Sequence, residues 1–264
     1  MPEGPDIALV VEYMQKVYVG RTVSSARYSK DEYSGVTALV GLKFASCHQH
    51  GKVIYIRWEE DGEYIYSRIH LMLHGRIYNK YVQDNGHYFT LMLGREELTM
   101  YDHMGIAQFE FLTEVPVETS KCVMSTKIVM SDISQWKGSV VQRLIEQDTI
   151  SGIGSQLAEE ILFRAKIYPN RAMSSLSKKE MEALVSAIHE MPPWISVCGG
   201  FWHSRPVMPN GENGYYTPLY KIEEGLKEDE AVKILKVGGR QYHVLCKIDD
   251  VLEDDNGVVD NVST

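Results

Sequence analysis

Ile150-Ser151-Gly152-Ile153-Gly154-Ser155 runs straight into Gln156-Leu157-Ala158-Glu159-Glu160-Ile161-Leu162, a glycine-bracketed turn that opens an amphipathic segment. Leu157, Ile161, Leu162 and Ala165 recur at helical spacing, which predicts a helix from about Ser155 to Lys166, with Pro169 beyond its end. A Gly-x-Gly turn at such a start aims backbone N–H groups outward, where a phosphate can take them. A short candidate helix, Ser139–Gln147, precedes the glycines in place of a strand, so a dinucleotide-binding βαβ unit is excluded. Helix, turn and helix suit a nucleic-acid backbone better than a nucleotide. A plain interhelical turn is the alternative.

Outward from this turn, Leu176-Ser177 followed by Glu180 forms a capping-box signature. It predicts a third helix that runs to about Met191 and stops at Pro192-Pro193. Residues 192–220 read as a Gly/Pro/aromatic loop region. Ala231–Ile248 alternates around Gly238-Gly239 as a β-hairpin, and the last dozen residues are expected to be disordered. Toward the N-terminus, Ile7, Val10, Val11, Met14 and Val17 mark a helix admitted by Pro5 and closed near Gly20. From Thr22 to Phe111 the texture is β. Lys52–Trp58, Glu63–Leu73, His87–Leu93 and Leu98–Phe111 read as strands of a sandwich or barrel. The fold class is therefore α+β. Its expected parts are a β-sandwich with a leading helix (1–130), a helical domain (131–220), a β-hairpin (221–250) and a tail (251–264).

The balance of 27 basic against 36 acidic residues gives a net charge of −9, which counts against nucleic-acid binding. Residues 221–264 carry −5 of it, mostly in the runs Glu223–Glu230 and Asp249–Asp255. Phosphate binding needs only a local basic groove, so the acidity does not exclude it. The four cysteines, Cys47, Cys122, Cys198 and Cys246, form no Cys-x-x-Cys pair, which argues against a zinc ribbon or thiol-redox centre. No apolar run is long enough for a membrane span, and Glu3 and Asp6 spoil a signal peptide, so an intracellular protein is expected.

The chain opens Met1-Pro2-Glu3-Gly4-Pro5-Asp6. Loss of Met1 would leave Pro2 with a secondary amine, a nucleophile able to form an iminium with a sugar C1′ or an aldehyde. An α-amine titrates near pH ~8, so part of it is unprotonated at neutral pH. Glu3 beside it could protonate a leaving or ring oxygen. The simpler alternative is that the two prolines only stiffen the start of the helix.

Four stretches together resemble the formamidopyrimidine-DNA glycosylase/endonuclease VIII family, which cuts oxidised bases from DNA. They are Pro2-Glu3-Gly4-Pro5; His50-Gly51-Lys52; His70-Leu71-Met72-Leu73-His74-Gly75; and Gly152-Ile153-Gly154 through Pro169. The resemblance implies a β-sandwich joined to a helix–two-turn–helix domain, with DNA in the cleft between them. It implies a bifunctional glycosylase and AP lyase in which Pro2 is nucleophile, Glu3 the acid/base and Lys52 a phosphate contact. Read alone, Lys52 is a solvated lysine at a strand start. The hairpin would be the zincless finger of some members, with Arg240 reaching a phosphate. Ser155 and the Gly152 and Gly154 amides would hold phosphates, and Leu73 would be the apolar wedge in the gap left by a flipped base. No metal or cofactor is required. The partner would be damaged DNA, with no membrane, and the protein a monomer.

Three departures narrow the expectation. Ser155 replaces the Asn usual after the turn, and Asp6 replaces a Glu. The loop Asp102-His103-Met104-Gly105-Ile106-Ala107 lacks the usual Arg, with Ile106 where Phe would be. Base flipping costs a few kcal/mol, and fewer wedge residues offset less of it. Tolerance of single-stranded or bubble DNA and weak discrimination of the opposite base are expected. A weakened or inactive homologue, acting as a DNA-binding or protein-interaction module, is the alternative. His70 and Tyr101 are assigned to packing. Phe201, Trp202, Tyr215 and Tyr216 are placed over the flipped base by stacking.

Overall fold

The computed structural model describes every residue except 83–84, 117, 203–207, 220–229 and 248–264. The acidic runs and the tail expected to be disordered thus lie almost wholly outside the described residues. The chain divides into two compact units, 1–119 with 195–216 and 120–194 with 217–264. This division groups 195–216 with the N-terminal unit, where the sequence-based partition placed them in the helical domain.

The first unit is a sandwich with a leading helix. Helix α1 (Gly4–Tyr18) turns Ile7, Val10, Met14 and Tyr18 inward, all wholly buried. Each such side chain contributes roughly 1.5–3 kcal/mol by leaving water. Strands β1 (Val23–Tyr28), β6 (His87–Leu93), β7 (Glu96–Asp102) and β5 (Arg76–Tyr78) form one sheet in that order. Strands β2 (Lys43–His50), β3 (Val53–Glu60), β4 (Glu63–His70) and β8 (Gln108–Leu112) form the other. Their inner faces share one core that contains Phe44, Ile54, Trp58, Phe89, Leu91 and Met100.

The single strand expected over Leu98–Phe111 is two strands in different sheets. The cause is local. Buried Asp102 accepts N–H bonds from Met104 (3.0 Å), Ile106 (2.6 Å) and Ala107 (2.7 Å), and Gly105 sits at φ +66°. A side chain there would also strike the His87 ring. Alternating apolar residues conceal this corner because the periodicity of two resumes beyond it.

In the second unit, β9 (Lys121–Cys122) pairs in parallel with β10 (Ile150–Ser151). A short helix α2 (Met130–Ile133) precedes α3 (Val140–Ile145) and α4 (Ser155–Ala165), which follow the expected helical reading. Helix α5 (Lys178–Val197) starts at the expected capping box. Ser177 N–H donates to Glu180 Oε2 at 2.7 Å, and Glu180 N–H donates to Ser177 Oγ at 3.3 Å. Its expected end at Pro192 is corrected, because the helix continues to Val197 through both prolines. Neither proline can donate to the carbonyl four residues back, a cost that normally ends a helix. Wholly buried Ile195, and the N–H bonds from Gly199 and Gly200 to the carbonyls of Ser196 and Ile195, hold the last turn. Strands β11 (Glu230–Val237) and β12 (Arg240–Lys247) form the expected hairpin. Gly238 and Gly239, at φ +56° and +78°, make its two-residue turn, a backbone that favours glycine. No helix of the described residues is long and apolar enough to cross a membrane.

Candidate functional site

The start of α1 carries the first group of residues. Pro2 is buried, as are Glu3 and Asp6, each at 1% exposure. Asp6 is the third residue of the helix, and its Oδ2 accepts the Glu3 N–H at 2.9 Å. Its Oδ1 accepts the Phe201 N–H at 3.2 Å. One carboxylate thus ties residue 3 to the segment at 200–201, a positioning role that the sequence alone did not reveal. Gly200 is required beside it: φ is +93°, and a Cβ would lie 2.8 Å from Asp6 Oδ1.

The α-amine of Met1, one residue before Pro2, lies among charged groups. Burial is the main cause that holds its pKa below the usual α-amine value, and the Arg76 guanidinium is the next. Lys52 acts in the same direction, whereas Glu3 and Asp6 oppose it. The fold thus brings Glu3 and Lys52, both expected from sequence, within electrostatic reach of the terminus. Lys52 is half-buried in the turn between β2 and β3, beside Gly51 at φ +58°. Arg76 was missed. It is 6% exposed and donates from Nη1 to the Gly75 carbonyl at 2.8 Å. Its only signal in the sequence is a charged residue opening the short strand Arg76-Ile77-Tyr78.

His70 is half-buried, and burial, followed by Lys52 and Arg68, lowers its pKa and favours the neutral imidazole. Tyr101 is 4% exposed and packs a tilted ring on Tyr78, in keeping with a packing role.

Two adjacent loops carry exposed apolar tips. In the first, Gly75 N–H bonds back to the Leu71 carbonyl at 2.8 Å, Met72 takes φ +52°, and Leu73 stands 49% exposed. In the second, Met104 is also 49% exposed, on the turn that Asp102 holds. The loops meet through His74 and His103, whose rings cross edge-on at 5.3 Å. Ile106, taken from sequence as the apolar residue of this loop, is only half-exposed, and its amide is bound to Asp102. Met104 is the residue that projects.

In the second unit the Gly152–Ser155 turn is built as expected, with Gly152 at φ +101°. The role expected for the Gly152 amide is corrected. It donates to Gln147 Oε1 at 3.0 Å, while Gln147 Nε2 donates to the Ile153 carbonyl at 2.7 Å. Gln147 thus braces the turn from within and occupies the amide assigned to a phosphate. Ser155 at the first turn of α4 and Arg240 at the start of β12, 85 positions apart, come together: Arg240 Nη1 lies 3.4 Å from Ser155 Oγ. Glu159, 5% exposed, secures the hairpin by accepting the His243 N–H at 3.0 Å. Buried Glu160 accepts the Leu219 N–H at 2.6 Å.

The aromatic segment after α5 divides in two. Phe201 is 1% exposed and packs edge-on against Tyr216, so the expectation that it stacks on a base is corrected. Trp202 and Tyr215 are exposed, Tyr215 at 87%.

Among the described residues, no three His, Cys, Asp or Glu side chains gather as a metal-binding group. The formamidopyrimidine-DNA glycosylase N-terminal domain matches residues 1–109, and the H2TH domain of the same enzymes matches residues 116–192. A formamidopyrimidine-DNA glycosylase from Cytobacillus firmus is 24% identical, covering 92% of this chain and 97% of its own length. Another, from Solibacter usitatus, is 25% identical over 84% of this chain and 87% of its own. A solved structure of the Lactococcus lactis enzyme in complex with abasic-site DNA has the same fold. Its TM-score is 0.76 at 18% identity, covering 91% of this chain and 97% of that one. The chain belongs to the formamidopyrimidine-DNA glycosylase/endonuclease VIII family.

Proposed function

We propose that this protein is a bifunctional DNA glycosylase and AP lyase of base excision repair, acting through the amine of Pro2. The observation that carries the reading is buried Pro2 beside buried Glu3 at the start of α1, with Arg76 and Lys52 near enough to act on the charge of the adjoining Met1 amine. With Met1 present the Pro2 nitrogen is an amide, so removal of Met1 precedes activity. The freed nitrogen lone pair then forms a bond to C1′ of an extrahelical nucleotide. The glycosidic bond breaks and the base leaves with the proton that the attacking amine gives up, while Glu3 gives a proton to the sugar ring oxygen as the C1′–O4′ bond opens. The resulting iminium acidifies C2′, loss of that proton expels the 3′ phosphate, and water hydrolyses the imine to restore the amine.

Lys52 contacts a phosphate beside the lesion. Its charge lowers the pKa of the Met1 amine, and acts in the same direction on the Pro2 amine once Met1 is removed. Arg240, Ser155 and the Gly154 amide hold backbone phosphates, and the guanidinium fork of Arg240 suits a bidentate contact. Leu73 refills the gap left by the flipped base, and Met104 joins it there. Neither side chain can hydrogen-bond an opposite base, so discrimination there is weak and single-stranded or bubble DNA is tolerated. The hairpin works as a finger without zinc: Gly238-Gly239 set its turn, and His243 with wholly buried Tyr242 anchors it. Chemistry is assigned to residues 1–130, with 195–216 grouped beside them, and the grip on DNA to 131–220 and 221–250. The protein acts as a monomer on damaged DNA.

Glu3→Gln tests the division of labour. Excision of an oxidised base should fall by about 10²–10⁴, the usual worth of a positioned acid, with a smaller loss on preformed abasic sites. Equal losses on both substrates would refute the role of Glu3. A homologue that binds DNA without cutting would show salt-dependent affinity and no excision by the wild type.

A further inference from the structure

The second unit holds a cavity of about 500 Å³ whose walls come from two places far apart in sequence: Lys137, Gln142 and Arg143 at α3, and Gly238, Arg240 and Tyr242 at the hairpin. Three of its nine lining residues are cationic and one, Glu146, is acidic, in a protein whose net charge is −9. Lys137 is exposed and makes no ion pair among the described residues. Arg143 is braced, with Nε donating to the Lys137 carbonyl at 2.7 Å and Nη1 paired with Glu146. Arg240 lies against the Ser155 hydroxyl and makes no ion pair among the described residues. Among the described lining residues one carboxylate, Glu146, faces three cations.

The walls are fixed in place. A Cβ on Gly238 would lie 2.4 Å from Gln142 Nε2, so the hairpin turn is seated on α3 through a glycine. Ser139 Oγ in turn donates to Gln142 Oε1 at 2.7 Å. Tyr242, wholly buried, lines the cavity, and its hydroxyl has no hydrogen-bond partner among the described residues.

We propose that this groove is a second backbone-phosphate site, with Lys137 and Arg143 continuing the cationic track that starts at Ser155 and Arg240. It rests on the DNA-binding reading above and extends it by at least one phosphate. Lys137 supplies a hydrated point charge and Arg143 a planar, pre-oriented fork. Contacts of this kind carry no sequence information, so the site adds affinity equally to all sequences.

The test is the salt dependence of binding to a duplex bearing an uncleavable abasic-site analogue. Each neutralised phosphate contributes about −0.9 to the slope of log affinity against log salt. Lys137→Ala should reduce the steepness by about 1, so that the wild type loses roughly threefold more affinity than the variant over a fourfold rise in salt. Lys137→Arg should restore the slope, and the change should be the same for lesion-free duplex. Lys178→Ala removes an equal charge from an exposed position paired with Glu182, and should leave the slope unchanged. If Lys137→Ala behaves as Lys178→Ala does while the wild type binds DNA, the groove is not a phosphate site and the function stands. If the wild type shows no salt-dependent binding, the function fails and the groove proposal with it.

Discussion

Replacing Asp102 should loosen one defined loop and leave the sandwich standing. Its wholly buried carboxylate takes three backbone N–H groups, at 2.6, 2.7 and 3.0 Å. Hydrogen bonds to a charged acceptor contribute about 1.5–3 kcal/mol each. Exposed Met104 can give its amide to water, so most of the loss falls on the amides of Ile106 and Ala107. Asp102→Ala should therefore cost roughly 3–5 kcal/mol locally. Asp102→Asn keeps one acceptor, and its carboxamide NH2 faces an N–H, so a loss of about 1–2 kcal/mol is expected. Native-state hydrogen exchange reads this directly. Protection of the Ala107 amide should fall by on the order of 10²–10³ in the alanine variant, at tenfold per 1.4 kcal/mol. Buried core amides such as that of Phe89 should lose much less. The same variant should nick lesions in duplex DNA more slowly than lesions in single strands, because Met104 no longer stands beside Leu73. Ala107 protection within threefold of the wild type would refute the reasoning.

Other outcomes follow from the geometry. Gly200→Ala forces a side chain onto Asp6 Oδ1 in a left-handed backbone, and should cost about 1–3 kcal/mol in thermal or urea unfolding while slowing covalent trapping. Arg76→Met removes a positive charge that lowers the pKa of the Met1 amine, and in protein that has lost Met1 the pKa of the Pro2 amine should rise for the same reason. The pH profile of trapping should then move to higher pH, with rates lost on the acid side and kept on the alkaline side; Arg76→Lys should keep the original profile, and an unmoved midpoint in Arg76→Met would contradict this role. Leu73→Ala and Met104→Ala should each reduce cleavage of duplex substrates and leave single-strand cleavage unchanged, as matched oligomers would show.

Local signals carried much of this molecule. The glycine turn before α4, the Ser177–Glu180 capping box and the Gly238-Gly239 hairpin each depend on a few neighbouring residues, so they were legible in the chain. What escaped notice depends on distant partners. Pro192-Pro193 reads as a helix stop, but burial of Ile195 carries α5 past it. Gln147 looks like any polar residue near the end of a short helix until its bond to Gly152 is seen. Asp6 was read as a shortened Glu, although its length suits the two amides it joins. Arg76 gains its importance from the chain terminus, 75 residues earlier, and periodicity within a three-residue strand carries no trace of that.

The claim that the N-terminal proline is the nucleophile is tested most directly by borohydride trapping on abasic DNA followed by peptide mapping. The account predicts one reduced adduct, on the nitrogen of Pro2 in protein that has lost Met1, and none in protein that retains it. An adduct on a lysine, above all on nearby Lys52, or no adduct while DNA is still bound, would contradict it.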